Sequence, residues 1–140
     1  MSTRQAKYPE TDTFHYVNVN PKGRLTSDCA VRAISLAANV DYKQVVMDLT
    51  AEYIKSGYAF AEKRTINEVL KSYGWEMQKQ PKKEDGKKYT GEEVCRILNP
   101  DENYVISIGG HHLTAVVNNK INDTWDCSEW CVGNYWVRKR

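Results

Sequence analysis

The fold is decided by the stretch Leu25-Thr26-Ser27-Asp28-Cys29-Ala30-Val31-Arg32-Ala33-Ile34, in which polar residues typical of helix N-caps precede an amphipathic segment. This pattern predicts a helix with the thiol of Cys29 in its first turn. Free N–H groups and the dipole at a helix N-terminus stabilise a thiolate and lower a cysteine pKa from about 8.5, which makes the thiol more nucleophilic. Cys29 is therefore a candidate nucleophile, and a small buried apolar side chain is the alternative interpretation.

Composition narrows the class of protein. The 140 residues include 20 basic and 18 acidic side chains, a net charge of +2, and this balance argues against nucleic-acid and membrane partners. The length suits a single domain over 1–140, and we expect a monomer. No N-terminal segment resembles a signal peptide and no apolar run is long enough for a bilayer, so we expect a cytoplasmic protein. In that reducing compartment the four cysteines are expected as free thiols.

Predicted helices precede predicted strands along the chain. Residues 1–25 are expected as an extended arm with one short strand at 14–19, and 80–88 as an exposed loop. The helix of Cys29 is followed by three more, whose N-terminal signals lie at Asp41, Thr65–Glu68 and Thr90–Glu93. The apolar period then changes to two and predicts strands at 104–108, 113–117, 120–125 and 135–138. This segregation predicts an α+β fold, with N-terminal helices packed on a C-terminal antiparallel sheet.

A partner for the thiol is available at the start of a predicted strand. His111 and His112 stand side by side after Gly109-Gly110. A thiol nucleophile needs an imidazole that accepts its proton and returns one to the leaving group, and a third side chain that orients the ring. One of these histidines is therefore the expected base for Cys29.

The register of the next hairpin selects among the candidates. If Asn118-Asn119 forms a two-residue turn, the flanking strands place His112 diagonal to Asp123 on one face. His111 then points to the other face and is expected at the surface. A bulge or a longer turn would select Asp126 instead, so Asp126 is the alternate acid.

The order Cys29, His112, Asp123 resembles the papain-like cysteine peptidase superfamily. In that superfamily a tryptophan often stands two residues after the acid or amide, and Trp125 occupies this position. The resemblance spans roughly residues 20–136 and implies a papain-like fold with a Cys29, His112, Asp123 triad. It also implies that Trp125 shields the hydrogen bond between the imidazole and the acid.

Two short segments resemble one branch of the superfamily. Asp28-Cys29-Ala30 and Gly110-His111-His112-Leu113-Thr114-Ala115-Val116-Val117 look like the bacteriocin-processing peptidases and small peptidase-like proteins of bacteria and their phages. The superfamily usually carries a glutamine about six residues before the nucleophile, where this chain has Gly23. We expect Asn18 or Asn20 to supply the equivalent amide of the oxyanion hole, together with the backbone N–H of the nucleophile.

The two cysteines near the C-terminus are candidate ligands for a metal ion. Cys127 and Cys131 are four residues apart, a spacing that differs from the Cys-x-x-Cys pairs of structural zinc sites. We expect neither a metal nor a cofactor, and we expect both cysteines in or beside a short turn. The aromatic residues nearby are expected in the core rather than as a platform for bases.

These residues favour a cysteine-dependent hydrolase, and within that class a peptidase that cleaves a peptide or isopeptide bond through an acyl-enzyme on Cys29. The expected partner is a protein or peptide substrate in a cleft between the helices and the sheet. Deamidases, amidases and acyltransferases share this chemistry. The alternative is a catalytically weak or inactive papain-fold protein of phage or mobile-element origin that binds a host protein.

Overall fold

A computed structural model describes residues 2–140, which form five α-helices and a six-stranded sheet. The helices are α1 (Thr3–Lys7), α2 (Cys29–Ala38), α3 (Tyr42–Ser56), α4 (Lys63–Ser72) and α5 (Gly91–Ile97). The strands are β1 (Phe14–Tyr16), β2 (Trp75–Gln78), β3 (Tyr104–Ile108), β4 (His112–Val117), β5 (Lys120–Asp123) and β6 (Val132–Arg138). The α+β class predicted from the sequence is confirmed.

The sheet is mixed rather than purely antiparallel. Its strand order is β1-β5-β4-β3-β6-β2, and β1 runs parallel to β5 with Phe14 opposite Ile121. The other neighbouring pairs are antiparallel. The sequence predicts an antiparallel sheet, and this prediction is wrong at β1. Because β1 arrives from the N-terminal arm, no hairpin dictates the direction in which it pairs.

The arm over 1–25 is only partly extended. Residues Thr3–Lys7 form the surface helix α1, capped by the Ser2 side chain, which accepts a hydrogen bond from the backbone N–H of Gln5 at 3.0 Å. An apolar period does not mark this helix, so it escapes sequence reasoning. The strand expected over 14–19 forms at its first three residues, and Phe14 anchors it with 0 % exposure.

The sheet separates two apolar cores. On one face α2, α3 and α4 pack with residues such as Ile34 against Leu113 of β4. On the other face α5 and the arm pack with residues such as Val94 against Ile106 of β3. Neighbouring residues of β3 serve opposite cores, since Val105 belongs to the first and Ile106 to the second. The sheet is thus covered on both faces.

The longest helix, α3, is amphipathic. Its 15 residues bury Val45 and Leu49 and expose Met47. Asp41 caps its N-terminus, as predicted, by accepting a hydrogen bond from a backbone N–H of the first turn. Across residues 2–140, no helix combines the length and the apolar character that crossing a bilayer requires.

One of the two predicted capping boxes is present in the structure, and the other is not. The box Thr90–Glu93 is present at the start of α5. The box Thr65–Glu68 is not formed, because α4 begins earlier, at Lys63, and the Thr65 hydroxyl donates instead to the carbonyl of Tyr58 at 3.0 Å. A threonine that is 1 % exposed needs such a partner for its hydroxyl.

An edge strand was missed. β2 follows Gly74, which has φ +85°, and its residues do not alternate between buried and exposed, because Trp75 is buried and the next two are exposed. Without alternation the segment lacks the usual strand signal. The loop at 80–88 is confirmed, and a single bridge between Lys82 and Lys88 closes it.

Candidate active site

Cys29 is the first residue of α2 and is half-buried. Asp28 holds the N-cap position, but among residues 2–140 its carboxylate caps no backbone N–H and finds side-chain partners instead. It accepts hydrogen bonds from Arg32 at 2.8 Å, from Tyr42 at 2.7 Å and from Asn20 at 3.0 Å. The acid that precedes the thiol is therefore part of a side-chain network.

The predicted hairpin is present and sets the register of the site. Asn118-Asn119 has φ of 55° and 60°, the sign that a type I′ turn requires at both positions. Val117 pairs with Lys120, and the strands continue back to His112 at the start of β4 and forward to Asp123 at the end of β5. His112 Nε2 lies 2.6 Å from Oδ2 of Asp123.

The same imidazole also affects the pKa of the thiol. Burial raises the pKa of Cys29, but hydrogen bonds with the His112 side chain and the Leu113 backbone outweigh this effect, and the pKa is lowered. Burial lowers the pKa of His112, whereas hydrogen bonds with Asp123, Cys127 and Cys29 raise it, to about 11. A thiol with a lowered pKa beside an imidazole with a raised pKa favours the thiolate–imidazolium pair.

Asp123 is 1 % exposed and has a partner for each carboxylate oxygen. Oδ2 binds His112, while Oδ1 accepts from Arg32 Nη1 at 2.7 Å and from the Thr124 N–H at 2.7 Å. Burial raises the pKa of Asp123, but the hydrogen bond and charge of His112 and the charge of Arg32 lower it overall. The acid is therefore held anionic and in one orientation.

Arg32 is a site residue that sequence reasoning missed. It is 6 % exposed and donates from Nε to Asp28 at 2.8 Å and from Nη1 to Asp123 at 2.7 Å. One buried guanidinium thus pairs with two buried carboxylates and ties α2 to β5. The spacing of Asp28 and Arg32, one helical turn apart, was the available signal.

Trp125 lies against the imidazole, where the resemblance places it. Its ring centroid is 5.0 Å from that of His112, and the planes are inclined at 51°. Trp130 packs edge-on against Trp125 at 6.2 Å. The indole of Trp125 is half-buried and covers one side of the His112 ring.

The other two candidate residues of the hairpin, Asp126 and His111, do not join the contact between His112 and Asp123. The carboxylate of Asp126 accepts a hydrogen bond from the Ser128 N–H at 3.0 Å and braces its own loop. The structure therefore brings Asp123, and not Asp126, to the imidazole of His112. His111 is exposed at the rim of the site.

The amides expected at the oxyanion hole are engaged elsewhere. Asn18 Nδ2 donates to the carbonyl of Arg24 at 3.1 Å, and Asn20 Nδ2 donates to the Asp28 carboxylate at 3.0 Å. The arm folds into a turn closed by the Gly23 N–H on the carbonyl of Asn20 at 2.9 Å, and both side chains brace this turn. These contacts do not support either residue as the oxyanion donor. The backbone N–H of the nucleophile remains as the donor from the predicted set.

Three side chains of the site could in principle meet at a metal. Ligand atoms of His112, Asp123 and Cys127 lie within 4.8 Å of one another. A tetrahedral zinc ion would hold nitrogen and oxygen ligands roughly 3.4 Å apart. The 2.6 Å between His112 and Asp123 fits a direct hydrogen bond instead. Cys131, the other half of the pair considered from sequence, is exposed and is not in this cluster of the described residues.

The remaining thiols differ from Cys29. Cys127 is buried behind the site, with Sγ 4.0 Å from Oδ2 of Asp123, and burial raises its pKa. Burial also raises the pKa of Cys95, to about 12. The contact of Cys127 with the site was not foreseen, because a loop separates it from the strand that carries Asp123.

Two pockets open beside the thiol. The smaller, of about 250 Å³, has walls that include Lys63, Ile66, Leu113 and Trp136. The larger, of about 510 Å³, has walls that include Arg4, Arg24, Ser27 and Trp125. Both pockets are lined by Cys29, Ala61, His111 and His112. Because they share these residues, they form one depression across the thiol, which we call the cleft.

Comparison with known proteins identifies no relative. No protein-family model, no curated protein and no solved structure matches the chain. The chemistry of the site therefore rests on its own geometry, above all the 2.6 Å contact of His112 with Asp123 beside the thiol of Cys29.

Proposed function

We propose that the protein is a cysteine-dependent hydrolase of the papain-like superfamily that cleaves a peptide or isopeptide bond. One observation carries the proposal: the half-buried thiol of Cys29 and the imidazole of His112 line the same two pockets, and Nε2 of that imidazole lies 2.6 Å from the buried carboxylate of Asp123. A nucleophile, a base and an orienting acid in one site are the parts that acyl transfer needs. The position of Cys29 at the start of a helix that packs on a sheet supports the papain-like assignment.

The proposed reaction begins with the thiolate–imidazolium pair. Sγ of Cys29 attacks the scissile carbonyl carbon, and the carbonyl electrons move to oxygen. The tetrahedral intermediate collapses as His112 gives its proton to the leaving amine, which leaves a thioester on Cys29. Water then attacks the thioester carbonyl, with His112 accepting its proton. The second tetrahedral intermediate collapses with cleavage of the C–S bond, which releases the carboxylic acid and restores the thiolate of Cys29 beside the imidazolium of His112.

Asp123 and Arg32 support the imidazole in this scheme. Asp123 orients the ring of His112 and stabilises its charged form. Arg32 donates to Oδ1 of Asp123 at 2.7 Å and so keeps Oδ2 directed at His112. Arg32 is thus a positioning residue, and Trp125 excludes water from the hydrogen bond between acid and ring.

The substrate lies in the cleft, between the helix that begins at Cys29 and the strand that begins at His112. A polypeptide is the proposed partner, because an extended chain spans both pockets and exposes a carbonyl to the thiol. The four cysteines are free thiols, which suits the cytoplasm, where we propose that the protein acts as a monomer.

A second candidate function is a catalytically weak protein that binds a partner in the same cleft. The engaged amides of Asn18 and Asn20 favour it, because the oxyanion hole then lacks a side-chain donor. Loss of one such donor slows turnover by about 10²–10³. The binding function keeps the cleft but has no need of a reactive Cys29.

The deciding experiment measures the pH dependence of iodoacetamide labelling at each cysteine by mass spectrometry. In the parent protein we expect Cys29 to react selectively, with an apparent pKa below about 8.5. In His112→Ala this advantage is lost, because the imidazolium no longer stabilises the thiolate. His111→Ala is the matched control and leaves Cys29 reactive. A Cys29 that reacts no faster than Cys95 would contradict the hydrolase and favour the binding function.

A further inference from the structure

We propose that the cleft selects acidic polypeptide segments, with Asp or Glu side chains on both sides of the bond that Cys29 attacks. This inference names the substrate class of the proposed hydrolase and so rests on that function. It is carried by the charged side chains of the two pockets, which are cationic on each side of the thiol.

Three cations line the cleft without an acidic partner. Arg4 and Arg24 belong to the larger pocket and Lys63 to the smaller one. Arg24 and Lys63 are exposed, and Arg4 is half-buried. Within residues 2–140, none of the three lies within ion-pair distance of a carboxylate. Their charges are therefore available to a bound ligand.

Two of these cations are held in place by neutral acceptors. Arg4 donates from Nε to the carbonyl of Thr124 at 2.6 Å, and Lys63 donates from Nζ to Oδ1 of Asn134 at 2.8 Å. These hydrogen bonds leave the charges uncompensated. They also restrict the side chains, which reduces the entropy lost when an anion binds.

Acidic side chains do not offset this charge. Among the described residues that line either pocket, Asp28 is the one carboxylate, and it is 7 % exposed. Arg32, which also lines the larger pocket, pairs with it at 2.8 Å. The cleft is therefore net positive in a chain whose basic and acidic residues number 20 and 18.

The positions of the cations relate them to a bound chain. An extended polypeptide whose carbonyl meets Cys29 places residues on both sides of that carbonyl. Arg24 then faces side chains on one side and Lys63 faces those on the other. Carboxylates are attracted at both positions, and basic side chains meet like charge, which gives discrimination as well as affinity.

The charge of the cleft can be measured without a substrate. The full-length protein is labelled at Cys29 with anionic iodoacetate or neutral iodoacetamide at low ionic strength, and the ratio of the two rates is determined by mass spectrometry. We expect this ratio to fall roughly twofold to fivefold in Arg24→Gln and in Lys63→Gln, and to fall in the parent as salt is added. A change in the pKa of Cys29 cancels from the ratio, because both reagents attack the same thiolate.

Lys87→Gln is the matched control, since it removes one positive charge from the exposed loop 80–88 and leaves the ratio unchanged. Rapid iodoacetamide labelling of Cys29 with a ratio indifferent to Arg24 and Lys63 would overturn the acidic-substrate inference and leave the hydrolase intact. Slow labelling by both reagents would overturn both.

A second measurement uses peptides directly. Two peptides of equal length carry a C-terminal chloromethyl ketone and differ only in having Glu or Lys next to it. The thiolate of Cys29 displaces chloride and forms a thioether, so the rate of labelling reports binding in the cleft. We expect the Glu peptide to react faster in the parent and to lose most of its advantage in Arg24→Gln. Equal rates for the two peptides would contradict the inference.

Discussion

Arg32 donates from Nη1 to Oδ1 of Asp123 at 2.7 Å, in an ion pair whose two side chains are 8 % and 1 % exposed. The pair joins the helix that begins at Cys29 to the strand that ends beside His112. The pair therefore helps to position the imidazole relative to the thiol, because the other oxygen of Asp123 lies 2.6 Å from His112 Nε2. A buried ion pair stabilises little against a well-packed apolar substitute, but breaking it leaves a charge without a partner.

Removing this guanidinium should be costly. Arg32→Leu leaves the buried Asp28 without a cation and removes one of the two cationic partners of Asp123, and we expect the free energy of unfolding to fall by about 3–5 kcal/mol. Urea denaturation followed by tryptophan fluorescence measures the change. Arg96→Leu is the control, because Arg96 pairs with Glu92 at the same helical spacing on the surface, and its loss costs less than about 1 kcal/mol. Equal losses in the two variants would show that the buried pair has no special weight.

The acid of the site is tested by Asp123→Asn against Asp126→Asn. The amide keeps the shape of Asp123 but removes the negative charge that raises the pKa of His112, so the imidazolium is less favoured. We expect the apparent pKa of Cys29 to rise in Asp123→Asn and its labelling by iodoacetamide at pH 7 to slow. Asp126→Asn should leave the labelling profile unchanged. A larger effect of Asp126→Asn would restore the alternate acid.

The parts of the site that lie within one hairpin could be predicted from the sequence. The turn Asn118-Asn119 sets the pairing of its two strands, and the pairing brings His112 to Asp123 without further information. The helix that begins at Cys29 was predictable for a similar reason, because its apolar period and the polar residues before it are local.

Contacts between distant segments could not be predicted. Arg32 and Asp123 are 91 residues apart, and a single sequence does not indicate that they meet. The parallel pairing of β1 with β5 escapes prediction for the same reason. Asn18 and Asn20 were expected beside the thiol because they precede it in the chain. The turn at Gly23, with φ +65°, instead directs Asn20 to Asp28.

A variant of Asn20 separates a structural role of this side chain from a role in stabilising the oxyanion. Its amide donates to the buried Asp28 at 3.0 Å, so Asn20→Ala should lower the free energy of unfolding by about 1–2 kcal/mol. The rate at which the folded protein hydrolyses a p-nitrophenyl ester should be unchanged, since we expect the Asn20 side chain not to donate a hydrogen bond to the oxyanion. Asn122→Ala is the control, because the Asn122 side chain donates to two backbone carbonyls of its own hairpin, at 2.8 Å and 3.2 Å, and not to the network around Asp28. Unchanged stability with a loss of esterase activity would return Asn20 to the oxyanion hole.

The free energy of unfolding should depend on pH through the protonation of His112. Although burial lowers its pKa, hydrogen bonds with Asp123 and two thiols raise it from 6.5 to about 11 in the folded protein. A raised pKa means that the folded state holds the proton more tightly than the unfolded state does. The stabilisation is therefore fully present below pH 6.5 and is lost as the pH rises toward 11.

Urea denaturation of the parent and of His112→Gln at a series of pH values measures this contribution. We expect the difference in the free energy of unfolding between the two proteins to be largest below pH 6.5 and to shrink steadily above it. His111→Gln is the control, because its side chain is exposed, and it should follow the parent at every pH. A difference that grows with pH above neutrality would mean that His112 is neutral in the folded protein. The thiolate of Cys29 would then have no imidazolium beside it, and its reactivity would have to come from the N-terminus of α2 alone.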